Sequence, residues 1–139
     1  MGISALFKSS ESYAYHLIDN AGNEMVEEIT KGKGKNETIE EVPYIFYFSN
    51  PLDNPKVKAL TESYKKRKNP SDKAFRNYQK DVITESLTDW QIFGDNSKPI
   101  EFNQDEVSKV IENASDHLLI GAFVSVNDPA NFTKGATIK

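Results

Sequence analysis

Apolar positions recur at near-helical spacing through residues 71–90. Phe75, Tyr78, Val82, Leu87 and Trp90 follow one another at intervals of three to five residues, with Ala74 and Ile83 beside them. Lys73, Arg76, Lys80, Asp81 and Glu85 fall largely on the other side. The pattern predicts an amphipathic helix capped by Ser71, whose hydroxyl is placed to accept a free first-turn amide. The helix is expected to run as far as residues 90–93. There Gly94-Asp95-Asn96 supplies turn chemistry and Pro99 bars helix continuation. Trp90, Ile92, Phe93, Ile100 and Phe102 bracket that turn. Such large side chains either close a small core, because aromatics bury the most area per residue, or anchor a partner.

Upstream the pattern changes to that of strands. Residues 12–18, SYAYHLI, are aromatic and branched, and Asp19-Asn20-Ala21-Gly22-Asn23 is turn material. Residues 24–30, EMVEEIT, are expected to pair back as the second strand of a β-hairpin, with a short helix as the competing reading because Glu and Met favour helices. Residues 31–38, KGKGKNET, combine two glycines with lysines and predict a flexible loop. A phosphate cradle is the sharper reading of the same residues, but no Walker pattern accompanies it. Residues 39–48, IEEVPYIFYF, read as one buried strand with Pro43 at its start or on a sheet edge. Left bare, such a run would aggregate, so it is expected to lie under helices or under another chain.

Downstream the signals are helical again. Asn54-Pro55 is an N-cap with proline at the first helical position, and Val57, Leu60 and Tyr64 share one face. Lys65-Lys66-Arg67-Lys68 places cations at the helix C-terminus, where the macrodipole favours them. A phosphate or import-receptor site is the alternative reading of that cluster. Asn103 and Glu106 have the form of a capping box before Val107, Val110, Ile111 and Ala114. Ser115-Asp116 heads a last helix with Leu118, Leu119, Ile120, Ala122, Phe123 and Val126, apolar nearly all round. Such a helix is either central to a core or keeps one face for a partner. Residues 1–11 and 127–139 are expected to be flexible. The expected fold is therefore α+β in a single domain spanning 1–139: a small N-terminal antiparallel hairpin or three-stranded sheet, then a bundle of about four helices.

Composition narrows the function. The 139 residues fit one domain. A formal net charge of −4 argues against a general nucleic-acid binder. With no cysteine there is no disulfide framework, thiolate zinc site or cysteine nucleophile. No apolar run approaches the roughly 20 residues that span a bilayer. The start, MGISALFKSSES, lacks a long apolar leader core, and Ser4 sits wrongly for a myristoylation signal. His16 and His117 are the only histidines, too few for a three-ligand catalytic metal site. No carboxylate pair, nucleophile elbow or dinucleotide fingerprint stands out, and Asp89 reads as a surface charge or local cap. No enzyme activity and no cofactor are expected.

One ordered set of residues does suggest a family. Asp89-Trp90 ends a helix and Gly94 makes a turn. Lys98-Pro99-Ile100-Glu101-Phe102 follows, then a capped helix at 103–113, an apolar helix at 118–126, and Asn131-Phe132. Over about residues 44–132 this resembles the tail assembly chaperones of long-tailed bacteriophages. The resemblance implies a transient binding protein in the cytoplasm of the infected bacterial host. Its partners would be the tape measure protein, a very long apolar helical chain that it keeps soluble, and tail-tube subunits. Such proteins are absent from the finished virion and are often also made in a longer, frameshifted form. Self-association is an open possibility for such a chain. Trp90, Phe93, Phe102, Leu119 and Phe123 are the candidate partner-binding residues, since apolar helical faces on an acidic protein suit the covering of another helix. The alternative is a structural subunit of the tail, such as a tail-tube or tail-completion protein, in which the N-terminal strands extend a sheet between neighbours.

Overall fold

The computed structural model describes residues 12–132. The expectations of flexibility at 1–11 and 133–139 lie outside that range. Five strands and four α-helices follow one another along the described chain: β1 (Ser12–His16), β2 (Val26–Lys31), β3 (Thr38–Pro43), β4 (Ile45–Ser49), α1 (Pro55–Lys65), α2 (Asp72–Ser86), β5 (Leu87–Gln91), α3 (Gln104–Glu112) and α4 (Asp116–Val126). The α+β class and the four helices agree with the sequence pattern.

The sheet arrangement differs from the expected one in a definite way. The turn at Asp19 forms: its Oδ1 accepts from the amides of Ala21 and Asn23, each at 2.9 Å, and Ile18 bridges Glu24. Beyond that short neck the two strands part. β1 pairs antiparallel with β4, and β2 pairs antiparallel with β3 in a separate two-stranded ribbon. Residues 39–48 are therefore two strands rather than one. Tyr44 is the crossing point: its amide donates to Met25 O at 2.9 Å and its carbonyl accepts from Leu17 N at 2.9 Å. The residues of the 31–38 loop form the tip of the ribbon, with a 3-10 turn at Gly34–Asn36. Gly32 there has φ +86°, and a Cβ on it would collide with the Asn36 carbonyl oxygen.

The largest correction concerns the stretch at 71–93. α2 stops at Ser86, and Leu87–Gln91 is a strand that pairs with β4, Phe46 lying opposite Trp90. The three-stranded sheet is thus β1-β4-β5, its third strand coming from residues read as helix. Leu87 and Trp90 are three apart, a spacing that fits a helix face as well as two inward positions on a strand distorted by a bulge. Here a register irregularity lies opposite, at Tyr47/Phe48.

Phe46 and Phe48 of β4 are fully buried with Val82 and Ile83 of α2 and Leu119, Ala122 and Val126 of α4. α2 packs on α1, α3, α4 and β4, and α4 packs on β1. Gly121 permits the last approach, because a Cβ there would lie 2.5 Å from the Tyr15 hydroxyl oxygen. Phe132, in a segment expected to be flexible, is buried in the same core and meets Tyr13 edge-on, ring centroids 5.9 Å apart. The four helix caps are the predicted ones. Asn54 accepts from Lys56 N and Val57 N, Ser71 from Ala74 N, Asn103 from Glu106 N, and Ser115 from Leu118 N.

Ser86, where helix becomes strand, is completely buried and its Oγ has no hydrogen-bond partner among the described residues. An unsatisfied buried hydroxyl costs about 1–3 kcal/mol. Ser86→Ala is therefore expected to leave the fold intact and raise stability by about 1 kcal/mol in chemical denaturation, while Trp90→Ala lowers it by about 3–5 kcal/mol. Equal losses for both would contradict this placement of Ser86.

Candidate functional site

The five residues singled out as partner-binding do not form one surface. Trp90 is 6% exposed; its indole N–H donates to Ile100 O at 2.8 Å, and its ring stacks against Phe46 at 6.2 Å. Phe102 is half-buried and lies edge-on against that indole at 5.3 Å. Phe93 is half-buried and meets Tyr44 edge-on at 5.4 Å. Leu119 is 1% exposed, in the core. Trp90 and Leu119 are thus interior groups, and offering either to a partner would require opening the core. Only Phe123 reaches an apolar surface, and it does so half-buried.

That surface is built by three helices. Tyr64 of α1 stacks on Tyr78 of α2 with ring centroids 4.4 Å apart and planes 7° from parallel. Tyr78 and Phe75 of α2 meet Phe123 of α4 edge-on at 5.6 and 6.0 Å. The Tyr78 hydroxyl is satisfied by Thr61 Oγ1 at 2.9 Å. Offset and edge-to-face contacts of this kind contribute about 0.5–1.5 kcal/mol each beyond area burial. The aromatic row therefore holds α4 against α2 and leaves part of its own surface in solvent.

α4 buries Leu119, Ala122 and Val126 and turns Ile120 and Val124 outward, 53% and 62% exposed. Phe75 beside them is 42% exposed. A shallow groove of about 390 Å³ runs along this junction past Phe75, Gln79 and Ile120. Its rim carries Asp72, Lys73, Arg76 and Asp116. Arg76 forms an ion pair with Asp116 across the α2–α4 junction and donates to Ala114 O at 3.4 Å; Lys80 pairs with Glu112 at 3.3 Å. The arrangement is an apolar strip on a helix pair inside a polar border, the anatomy of a surface that accepts another apolar helix. Phe75 was legible in the sequence only as one member of the α2 stripe. Ile120 and Val124 carried one signal, their i, i+4 position on a helix without a polar face.

A polar constellation ties the ribbon to the body. Tyr44 donates its hydroxyl to Glu27 Oε1 at 2.5 Å, and Ser97 donates to Glu27 Oε2 at 2.5 Å. The Ser97 and Tyr44 hydrogen bonds hold the Glu27 carboxyl below the usual range. Burial, then the hydrogen bond and charge of Glu27, push the Tyr44 phenol up to about 12. Elsewhere burial, with Glu85 and Glu112 nearby, raises the Asp81 carboxyl, but no nucleophile accompanies it. His16 Nδ1 lies 2.8 Å from Glu24 Oε1, and Asp89 accepts from the Trp90 amide at 2.8 Å. Among the described residues no three His, Cys, Asp or Glu side chains gather to hold a metal ion, and no helix is long and apolar enough to cross a membrane.

Comparison with protein-family models, with curated proteins and with solved structures gives no significant match. The geometry of the chain itself therefore carries the functional reading.

The Glu27 constellation sets a pH dependence at both ends. Its depressed carboxyl contributes stability present above the ordinary carboxylate pKa of 4.5 and lost as pH falls through the lower folded value. The raised Tyr44 phenol contributes stability present below pH 10 and lost as pH rises towards about 12. Hydrogen exchange of the β2 amides is expected to accelerate below about pH 4.5, beyond its intrinsic pH trend, in the wild type. In Glu27→Gln that acid step should vanish; an unchanged step would assign it to another group.

Proposed function

We propose that this protein is an assembly chaperone of a long-tailed bacteriophage, acting in the cytoplasm of the infected bacterial host. It binds the tape measure protein and assists tail-tube assembly. The observation that carries the reading is the outward face of α4, where Ile120 and Val124 stand exposed beside Phe75 on a chain of net charge −4. A helix that is apolar on its solvent side as well as its core side has a face without a partner. The residues shared with the chaperone pattern from Gly94 to Asn131-Phe132 support the same reading, whereas Asp89-Trp90, which that pattern sets at a helix end, lie in β5.

In this mechanism no bond is made or broken. An apolar stripe on the tape measure helix, repeating at i, i+3, i+4 and i+7, packs along Phe75, Phe123, Ile120 and Val124. The Arg76–Asp116 pair borders the strip and keeps the complex soluble. Burial of these side chains at about 25 cal/mol per Å² supplies the affinity, and the small area keeps binding reversible, as a factor that leaves before completion requires. The second reading, a tail-tube or tail-completion subunit, is favoured by one feature, the free two-stranded ribbon β2-β3.

Ile120→Glu and Val124→Glu are expected to weaken capture of a tape measure fragment at least tenfold while thermal stability changes by no more than about 0.5 kcal/mol. Unchanged capture would remove the α2–α4 face from the mechanism. Purified particles are expected to lack the protein; its presence there in stoichiometric amount would establish the structural-subunit reading instead.

A further inference from the structure

The groove between α2 and α4 has one uncharged polar side chain among its lining residues, and that side chain is buried. Gln79 of α2 is 6% exposed, one helical turn beyond Phe75 and Arg76 and one turn before Val82 and Ile83. A carboxamide has two N–H donors and an oxygen with two lone pairs, and burying it without partners is costly. The Gln79 amide makes no hydrogen bond to another described residue. Arg76 beside it is committed elsewhere, to Asp116 and to the Ala114 carbonyl. Ser86 Oγ is the only side-chain polar atom among the described residues that is sealed off without a partner, so the Gln79 amide still reaches the groove that it lines.

Charge does not choose an occupant here. Asp72, Lys73, Arg76 and Asp116 line the groove with two charges of each sign. Phe75 and Ile120 supply exposed apolar area. Between them, a helix lying in the groove meets hydrocarbon and one unpaired amide.

We propose that Gln79 sets the register of the bound helix, whose apolar stripe carries an asparagine, glutamine, serine or threonine where it crosses this residue. The inference rests on the α2–α4 face being the binding face. In register, the Gln79 amide donates to the oxygen of that side chain or accepts from its N–H or O–H. Shifted by one turn, the helix buries Gln79 against hydrocarbon and sets its own polar group against Phe75 or Ile120, so both lose their partners. An apolar strip alone carries no such penalty, since a shift of one turn only exchanges one apolar contact for another. A single polar residue within an apolar seam fixes the alignment of paired helices in the same way.

Binding of synthetic helical peptides to the full chain tests this. One peptide carries leucine at i, i+3, i+4 and i+7, and four others replace one of these leucines by asparagine. At one or more of the four positions, the asparagine-to-leucine affinity ratio is expected to be about tenfold higher on the wild type than on Gln79→Met. Gln79→Leu should behave as Gln79→Met does. Both variants are expected to melt no lower than the wild type, because the amide they remove has no partner in the fold. Lower melting would place the amide in the fold's own hydrogen bonding and overturn the proposal, as would equal ratios at all four positions. Ile120→Glu separates this from a failure of the face itself and should weaken all five peptides at least tenfold. Peptides that bind Ile120→Glu as they bind the wild type, or that bind neither, would remove the α2–α4 face from the mechanism and the role of Gln79 with it.

Discussion

Two phenylalanines on one short strand, Phe46 and Phe48, determine where everything else lies. They alternate with Tyr47, so both project to the same side of β4, and both are completely buried. β1 and β5 flank that strand, and α2 covers it with Val82 and Ile83. α4 is held by α2 and by β1 and contributes Leu119, Ala122 and Val126 to the same cluster. A central strand whose inward positions are both aromatic needs a cover of large area, and the helix pair α2-α4 provides it. Losing either ring would open a cavity that touches every layer.

What lies outside this core is as informative as what lies within. The sheet has three strands, enough to seat two helices on one face. It leaves the ribbon β2-β3 outside, anchored at its root by the Tyr44–Glu27–Ser97 hydrogen bonds and by the packing of Met25 and Tyr44, the latter against Phe93. α4 is apolar nearly all round, yet the core takes only one side of it. Both features place apolar groups, Ile39 on the ribbon and Ile120 with Val124 on α4, in solvent. Around them the chain carries a net charge of −4 and local ion pairs such as Lys31–Glu40 and Arg76–Asp116.

Local chemistry was legible in the sequence, and tertiary choice was not. The caps Asn54, Ser71, Asn103 and Ser115 could be placed because each acts on amides two or three residues away. The Asp19 turn was readable for the same reason. The switch at Ser86–Leu87 was hidden, since Leu87 and Trp90 satisfy both periods and the choice was made by β4, whose strand needs a neighbour on that side. Tyr44 split the 39–48 run through hydrogen bonds to Leu17 and Met25, contacts that no local window contains. The site divided in the same way. Phe123 lies half-buried at the edge of an apolar surface and Trp90 lies in the core, a difference set by the strand and helices beneath each ring rather than by local sequence. Ile120 and Val124 became visible only once α2 and β1 had claimed the other side of α4.

The outward face of α4 and the outer edge of β3 offer different physics. An apolar helix face binds by area and shape and tolerates variation in what it meets, whereas an open strand edge binds through directional backbone hydrogen bonds and demands a strand.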